Sequence, residues 1–182
     1  MHEHEQVIFA GFGGQGVMLI GQLVTYAGMT EGLNVSWIPS YGPEMRGGTA
    51  NCQVVISLKK VSSPLISEPT SLIALNKPSL DKFATWVSND GLIVYNSSLI
   101  QQPPQRENVR IVAVPANEIA SKLGNLRTAN MVILGAYLAA TKIVSCDTVI
   151  NSMKKVLPER HHKLIPLNEE ALAKGIEFGS LK

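Results

Sequence analysis

The sequence predicts an α/β fold: a three-layer, Rossmann-like domain with a mainly parallel but mixed sheet, helices on both faces and a helical C-terminal part. Three observations predict it. Short apolar runs rich in β-formers alternate with segments of helical period over the first two-thirds of the chain. The first run, "QVIFAGF", passes through a glycine turn straight into a helical pattern. After Pro115 the patterns are almost all helical.

Each element has its own signal. Gln6–Phe12 is a buried strand ended by glycine, and Gly16–Gly32 repeats Val17, Ile20, Leu23, Val24 and Ala27 at helical spacing before a glycine stop. Asn34–Ser40 is the next strand, which makes the opening a βαβ unit with parallel strands. Thr49–Leu58 is a strand that follows a loop without a helix between, so the sheet is expected to be mixed. Thr70–Asn76 is a short strand, and the helix from Lys77 to Ser88 opens on Pro78 and Ser79 and turns Leu80, Phe83 and Val87 to one side. Gly91–Asn96 and Val109–Pro115 are strands flanking the proline-rich "SSLIQQPPQREN". Ala116–Gly124 is a helix with Asn117 as cap, and Thr128–Ile143 is a helix apolar almost all round, which marks a buried or interface helix. A helix from Cys146 to Pro158 takes Asp147 as cap, and Asn168–Gly179 is a terminal amphipathic helix.

The 182 residues show no repeat and no linker, so one domain is expected over residues 1–182, long enough for a core without staples. Charged residues are 16% of the chain, against about 25% in ordinary soluble domains. So neutral a surface points to a partner covering part of it. The net charge is +2, and no Lys/Arg run forms a nucleic-acid stripe. Cys52 and Cys146 form no CxxC pair, so these thiols alone build no iron–sulfur or zinc site. His161 and His162 stand without carboxylate or cysteine partners and are expected at a solvated helix end. No stretch approaches the ~20 apolar residues of a membrane span. The polar start "MHEHEQ" is no signal peptide, so a soluble, cytoplasmic protein is expected.

Two loops carry the candidate site. In "GFGGQG", Gly11, Gly13 and Gly16 fit G-x-G-x-x-G between strand and helix, with Gly14 and Gln15 completing the turn. Such a turn can offer free backbone N–H groups and a helix N-terminus to an anion. It can equally serve only to pack helix on sheet or to meet a subunit. Dinucleotide binding is disfavoured, because no acidic residue ends the second strand, "WIPS". No lysine sits in the turn, so it is not a triphosphatase loop either. Gln15 can reach a ligand or a neighbouring loop. A valine at residue 13 or 16 is expected to do more damage than Gln15→Ala.

The second loop, "SYGPEMRGGTANC", leaves the carboxyl end of a strand, where open α/β sheets present ligand sites. Gly42, Gly47 and Gly48 free its backbone, while Tyr41, Glu44 and Arg46 are its recognition side chains. Arg46 can brace the loop internally through Glu44, or hold a group outside it.

Together, "GFGGQG" and "PSYGPEMRGG" at this separation resemble the gamma subunit of the 2-oxoacid:ferredoxin oxidoreductases, nearest the 2-oxoglutarate:acceptor type. The resemblance is sharpest over Val7–Leu58 and fades toward the C-terminus. It implies a place in a complex that decarboxylates a 2-oxoacid oxidatively, transfers the acyl group to coenzyme A and passes electrons to ferredoxin or another acceptor. It implies thiamine diphosphate on alpha and beta partner subunits, and iron–sulfur clusters on beta or a ferredoxin-like delta subunit. It implies that this chain carries no cofactor and no catalytic residue of its own. The chain also lacks the thiamine signature GDG with a downstream NN. The two loops are then expected to form one surface that docks on the alpha subunit and helps shape the thiamine or coenzyme A cleft. A stand-alone nucleotide- or acyl-CoA-binding protein of Rossmann-like fold is the alternative.

Overall fold

A computed structural model describes residues 4–40 and 49–180. The strands are β1 (His4–Phe12), β2 (Asn34–Ser40), β3 (Thr49–Ser57), β4 (Ser71–Ala74), β5 (Gly91–Asn96) and β6 (Val109–Val114). The helices are α1 (Val17–Thr30), α2 (Lys77–Phe83), α3 (Ala116–Lys122), α4 (Ala129–Thr141), α5 (Cys146–Val156) and α6 (Ile165–Gly179).

The six strands form one sheet in the order β2-β3-β1-β4-β5-β6. β1 pairs parallel with β4, β4 with β5 and β5 with β6, while β3 runs antiparallel to both β1 and β2. The expected mixed sheet is present. β1 and β2 are parallel, but β3 lies between them, because the chain turns back after Ser40 instead of crossing over through a second helix.

Helices cover both faces. On one face α1, α3, α4, α5 and α6 close a core with β1 and β3 that includes Phe9, Ile20, Cys52, Ile73 and Tyr137. On the other, Leu80 and Phe83 of α2 pack with Ile8, Leu72, Ile93 and Ile100. α4 is buried almost all round, as its composition predicts, with α6 beyond it. The two helices cross with Gly135, Gly175 and Gly179 against opposing backbone, so that a side chain at Gly175 would strike the Val132 carbonyl.

Several element ends differ from the sequence reading: β1 begins at His4 rather than Gln6, and α6 at Ile165 rather than Asn168. α2 stops at Phe83 and tightens into a 3-10 turn over Ala84–Trp86, whose carbonyl of Ala84 accepts from Arg106 at 2.6 Å. The cap of α5 is Ser145, which accepts from Asp147 N, so Asp147 lies inside the first turn. Pro115 occupies the cap of α3, and Asn117 instead accepts from Asn96 Nδ2 at 2.7 Å. In both helices the cap residue stands two positions earlier than a sequence search for Asp or Asn finds it.

A buried carboxylate joins β1 to α4. Glu5 is only 3% exposed and accepts from Tyr137 Oη at 3.2 Å and Thr70 Oγ1 at 2.9 Å. Burial first, and the Glu5 charge second, push the Tyr137 phenol far above its ordinary value, so it is a donor. Cys52 is fully buried on β3, and desolvation pushes its thiol up to about 12.

Candidate functional site

β1 leads through α1 toward the β2 edge, whereas β4 leads through α2 to β5 on the other side. The carboxyl ends of β1 and β4 therefore flank the point where the winding reverses, the position at which open α/β sheets hold their ligands.

The glycine turn sits there. Gly11 still belongs to β1 and is buried against Val17 and Leu75. Gly14 and Gly16 hold left-handed φ of 90° and 78°, a region open to glycine at no steric cost. Gly16 is the N-cap of α1 and faces the Asn130 amide of α4. Gly13 has open space around it and no left-handed φ. α1 has neither a side-chain cap nor an acidic residue in its first turn.

Gln15 braces the turn. Its Oε1 accepts from Phe12 N at 2.6 Å and Asn76 Nδ2 at 3.3 Å, and its Nε2 donates to Leu75 O at 3.4 Å. It thus ties the turn to the end of β4.

The sequence reading missed a group of amides around this point. Asn76 follows β4, caps α2 by accepting from Ser79 N and is 2% exposed. Asn96 ends β5, is 1% exposed, and links Ser98 N to Asn117. Asn130, on α4, donates to Gly16 O at 3.4 Å. Gln15, Asn96, Asn117, Asn130 and Arg127 line a cleft of about 160 Å³ beside Gly14. A signal was present: "SLIALN" and "GLIVYN" both end in asparagine, at the carboxyl ends of parallel strands. Phe12, Leu99 and Leu126, all exposed, lie at this end of the sheet or on the cleft.

Tyr41, Gly42, Glu44, Arg46, Gly47 and Gly48 lie outside the described residues. Their flanks do not: Phe12 is paired with Thr49, and Ser40 with Asn51, so both flanks of the second loop lie at the same end of the sheet as the glycine turn, Thr49 directly beside it and Ser40 one strand further out. The second strand ends in Pro39 and Ser40 without a carboxylate.

Cys52 and Cys146 stand on β3 and α5, and among the described residues no three His, Cys, Asp or Glu gather as a metal site. His161 and His162 occupy a 3-10 turn after α5, with His162 Nε2 2.9 Å from Leu157 O. No helix among the described residues is long and apolar enough to cross a membrane.

Comparison with known proteins places this geometry. Residues 6–178 match the model of the pyruvate ferredoxin/flavodoxin oxidoreductase family. The ketoisovalerate oxidoreductase subunit VorA of Methanothermobacter thermautotrophicus is 42% identical over 173 residues, which are 95% of this chain and 36% of that one. The chain thus spans about a third of that relative's length. The 2-oxoglutarate synthase subunit KorC of Methanothermobacter marburgensis is 32% identical over 161 residues, 85% of this chain and 87% of that one. The crystal structure of a keto/oxoacid ferredoxin oxidoreductase gamma subunit from Geobacter sulfurreducens superposes with a TM-score of 0.82 at 29% identity, covering 96% of this chain and 98% of that one. By the family match and these identities, the chain belongs to the pyruvate ferredoxin/flavodoxin oxidoreductase family.

Proposed function

We propose that the chain is the gamma subunit of a multi-subunit 2-oxoacid:ferredoxin (acceptor) oxidoreductase, and that the carboxyl end of its sheet docks on the catalytic thiamine-diphosphate subunits. One observation carries the reading. The Phe12–Thr49 pairing brings the glycine turn and both ends of the Tyr41–Gly48 loop to the same end of the sheet, where Phe12 and Leu126 are exposed. An apolar rim around a polar cleft suits a protein interface. In this reading Gly11 to Gly16, with Tyr41, Glu44 and Arg46, meet the partner or the coenzyme A cleft shared with it. Thiamine diphosphate and iron–sulfur clusters belong to the alpha, beta and delta subunits, and the electrons leave to ferredoxin or another acceptor through them. The uncapped start of α1 and Arg127 supply the anion-holding chemistry that a shared coenzyme A cleft needs.

The substrate is a 2-oxoacid. The sequence motifs favour 2-oxoglutarate, and the higher identity to VorA supports a branched-chain 2-oxoacid. Reconstitution with the co-encoded catalytic subunits, followed by assay with 2-oxoglutarate and with ketoisovalerate, decides between them. Arg46→Ala tests the docking face in the same system. The isolated variant keeps its stability within about 0.5 kcal/mol. Its association weakens by about 2–5 kcal/mol if the guanidinium is paired across the interface. A large loss of stability in the isolated chain would assign Arg46 to an internal brace, and full assembly and activity would remove the loop from the interface.

A further inference from the structure

The cleft beside Gly14 carries hydrogen-bonding capacity that the chain itself leaves unused. Asn130 is 5% exposed, and its Nδ2 donates to Gly16 O at 3.4 Å. The Gly16 carbonyl fixes which way this amide points, since an amide oxygen turned toward it would be repelled. Asn130 Oδ1 is then left without a donor among the described residues. It is not sealed in: among those residues, the side-chain atoms shut off from solvent without a partner are Trp37 Nε1 and Ser79 Oγ. Asn130 lines the cleft, so its oxygen opens there. Asn117 is oriented by a chain of bonds. Ser98 N donates to Asn96 Oδ1 at 3.3 Å, which leaves Asn96 Nδ2 to donate to Asn117 Oδ1 at 2.7 Å. Asn117 Nδ2 therefore has its N–H groups to offer, and nothing among the described residues accepts them. Arg127 lines the same cleft, and its guanidinium makes no hydrogen bond or ion pair among the described residues.

One waiting acceptor, one waiting amide donor and a guanidinium suit an occupant that brings a donor, an acceptor and a negative charge close together. A bare anion fails, because it faces the Asn130 oxygen with nothing to donate. A metal cation fails against Arg127. A polypeptide fits: each peptide group offers an N–H and a C=O, and Asp or Glu supplies the carboxylate that a guanidinium holds in a fork. A phosphorylated small molecule with an amide, coenzyme A among them, has the same three groups. Size separates the two. Sites that bury a small ligand run to about 300–1,000 Å³. This cleft holds about 160 Å³, room for a peptide group and a short side chain. Leu126, 59% exposed on the lining of the cleft, gives an inserted chain an apolar surface to cover.

We infer that this cleft takes an acidic segment of a catalytic partner subunit. Asn130 Oδ1 accepts from a main-chain N–H of that segment, Asn117 Nδ2 donates to a main-chain carbonyl, and Arg127 holds the carboxylate of an Asp or Glu beside them. This rests on the function proposed above, in which this end of the sheet meets a partner or coenzyme A; the partner is the one that fills the cleft.

The test is association of the purified chain with its co-encoded alpha and beta subunits, read by biolayer interferometry at low and high salt. Arg127→Glu is expected to bind at least about tenfold more weakly in about 50 mM salt, with the gap narrowing at about 500 mM as screening takes over. Asn117→Asp keeps the oxygen that accepts from Asn96 and turns a second oxygen toward the partner's carbonyl, so it is expected to weaken binding about tenfold. Lys82→Glu makes the same charge reversal on α2, outside the cleft, and is expected to bind as wild type. Thermal melts of all variants establish that each is folded. Wild-type binding with both cleft variants unaffected overturns this inference and leaves the proposed function standing. So does a loss of coenzyme A affinity in the assembled Arg127→Glu complex with subunit association unaltered, which gives the cleft to the coenzyme. Failure of the wild-type chain to bind those subunits overturns both.

Discussion

Asn130 Nδ2 donates to the carbonyl of Gly16, so α4 closes over the start of α1 at the place where a side chain on residue 16 would stand. The glycine turn is therefore a joint between two helices as much as a rim of the cleft. Gly16→Ala meets two obstacles, a left-handed φ of 78° and the Asn130 amide. It is expected to cost roughly 1–3 kcal/mol. In a chain of this size that lowers the melting temperature by at least about 2 °C. Gly13→Ala meets neither obstacle and is expected to stay within about 0.5 kcal/mol of wild type. The sequence alone treats residues 13 and 16 alike; the structure separates them. Matching melting curves for the two variants would refute the joint.

The buried carboxylate supplies a second test. Tyr137→Phe removes the hydroxyl that donates to Glu5 Oε1 and keeps the ring that meets Phe9 edge-on at 5.7 Å between centroids. Among the described residues, Thr70 Oγ1 would then be the donor left to Glu5. The expected loss is about 1–3 kcal/mol, measured by urea denaturation. Glu5→Gln should recover part of it in the Tyr137→Phe background, since the neutral amide is less costly to bury with one partner. No recovery would mean that the charge of Glu5 is not what Tyr137 satisfies.

How much of this the sequence disclosed depends on the range of the interaction concerned. The strands, helices and mixed sheet were legible because hydrophobic period and glycine punctuation are local signals. The insertion of β3 between β1 and β2 was not, because strand order is set by long-range pairing such as Phe9 with Cys52. Helix caps were misplaced by two residues because Asn117 and Asp147 resemble caps in isolation, and only tertiary partners reveal that Asn117 faces Asn96. At the site, the glycine turn was legible as a motif. The amides of Asn76, Asn96 and Asn130 come from three distant segments, and the fold alone brings them together.

Alkaline pH offers a third prediction. The Cys52 thiol, ordinarily near 9, is raised to about 12 because ionising it inside the core is costly; the Trp37 indole opposes this only in part. The unfolded chain loses the proton first as pH rises. The thiol's contribution is thus intact below about pH 9 and declines between about 9 and 12, by up to ~1.4 kcal/mol per pH unit. Cys52→Ala lowers stability at neutral pH by leaving a small void, but it should flatten the decline. Urea midpoints at pH 8, 9 and 10 for both proteins measure the slope directly. Parallel slopes would show that Cys52 is reached by solvent before unfolding.

The crossing of α4 and α6 gives the sharpest contest between two effects. Alanine in place of glycine inside a helix favours the helical state by about 1 kcal/mol, so Gly175→Ala would stabilise α6 taken alone. In the fold, a Cβ at residue 175 runs into the carbonyl of Val132 and lies 3.0 Å from Ala136 N. Both are backbone atoms of a helix buried along nearly its whole length, so no rotamer change relieves the contact. The helices must separate, and Ala171 and Leu172, both buried in the main core, must move with them. Overpacking of this kind costs about 1–3 kcal/mol, and contact with rigid backbone belongs at the upper end. Gly175→Ala is therefore expected to destabilise the chain by at least about 1 kcal/mol after the helical gain is subtracted. Limited proteolysis should find new cleavage near Lys174, at the loosened α6, and the urea midpoint should fall. A rise in the midpoint would mean that propensity outweighs the steric term, and that α4 and α6 lie further apart in solution than the Val132–Gly175 approach requires.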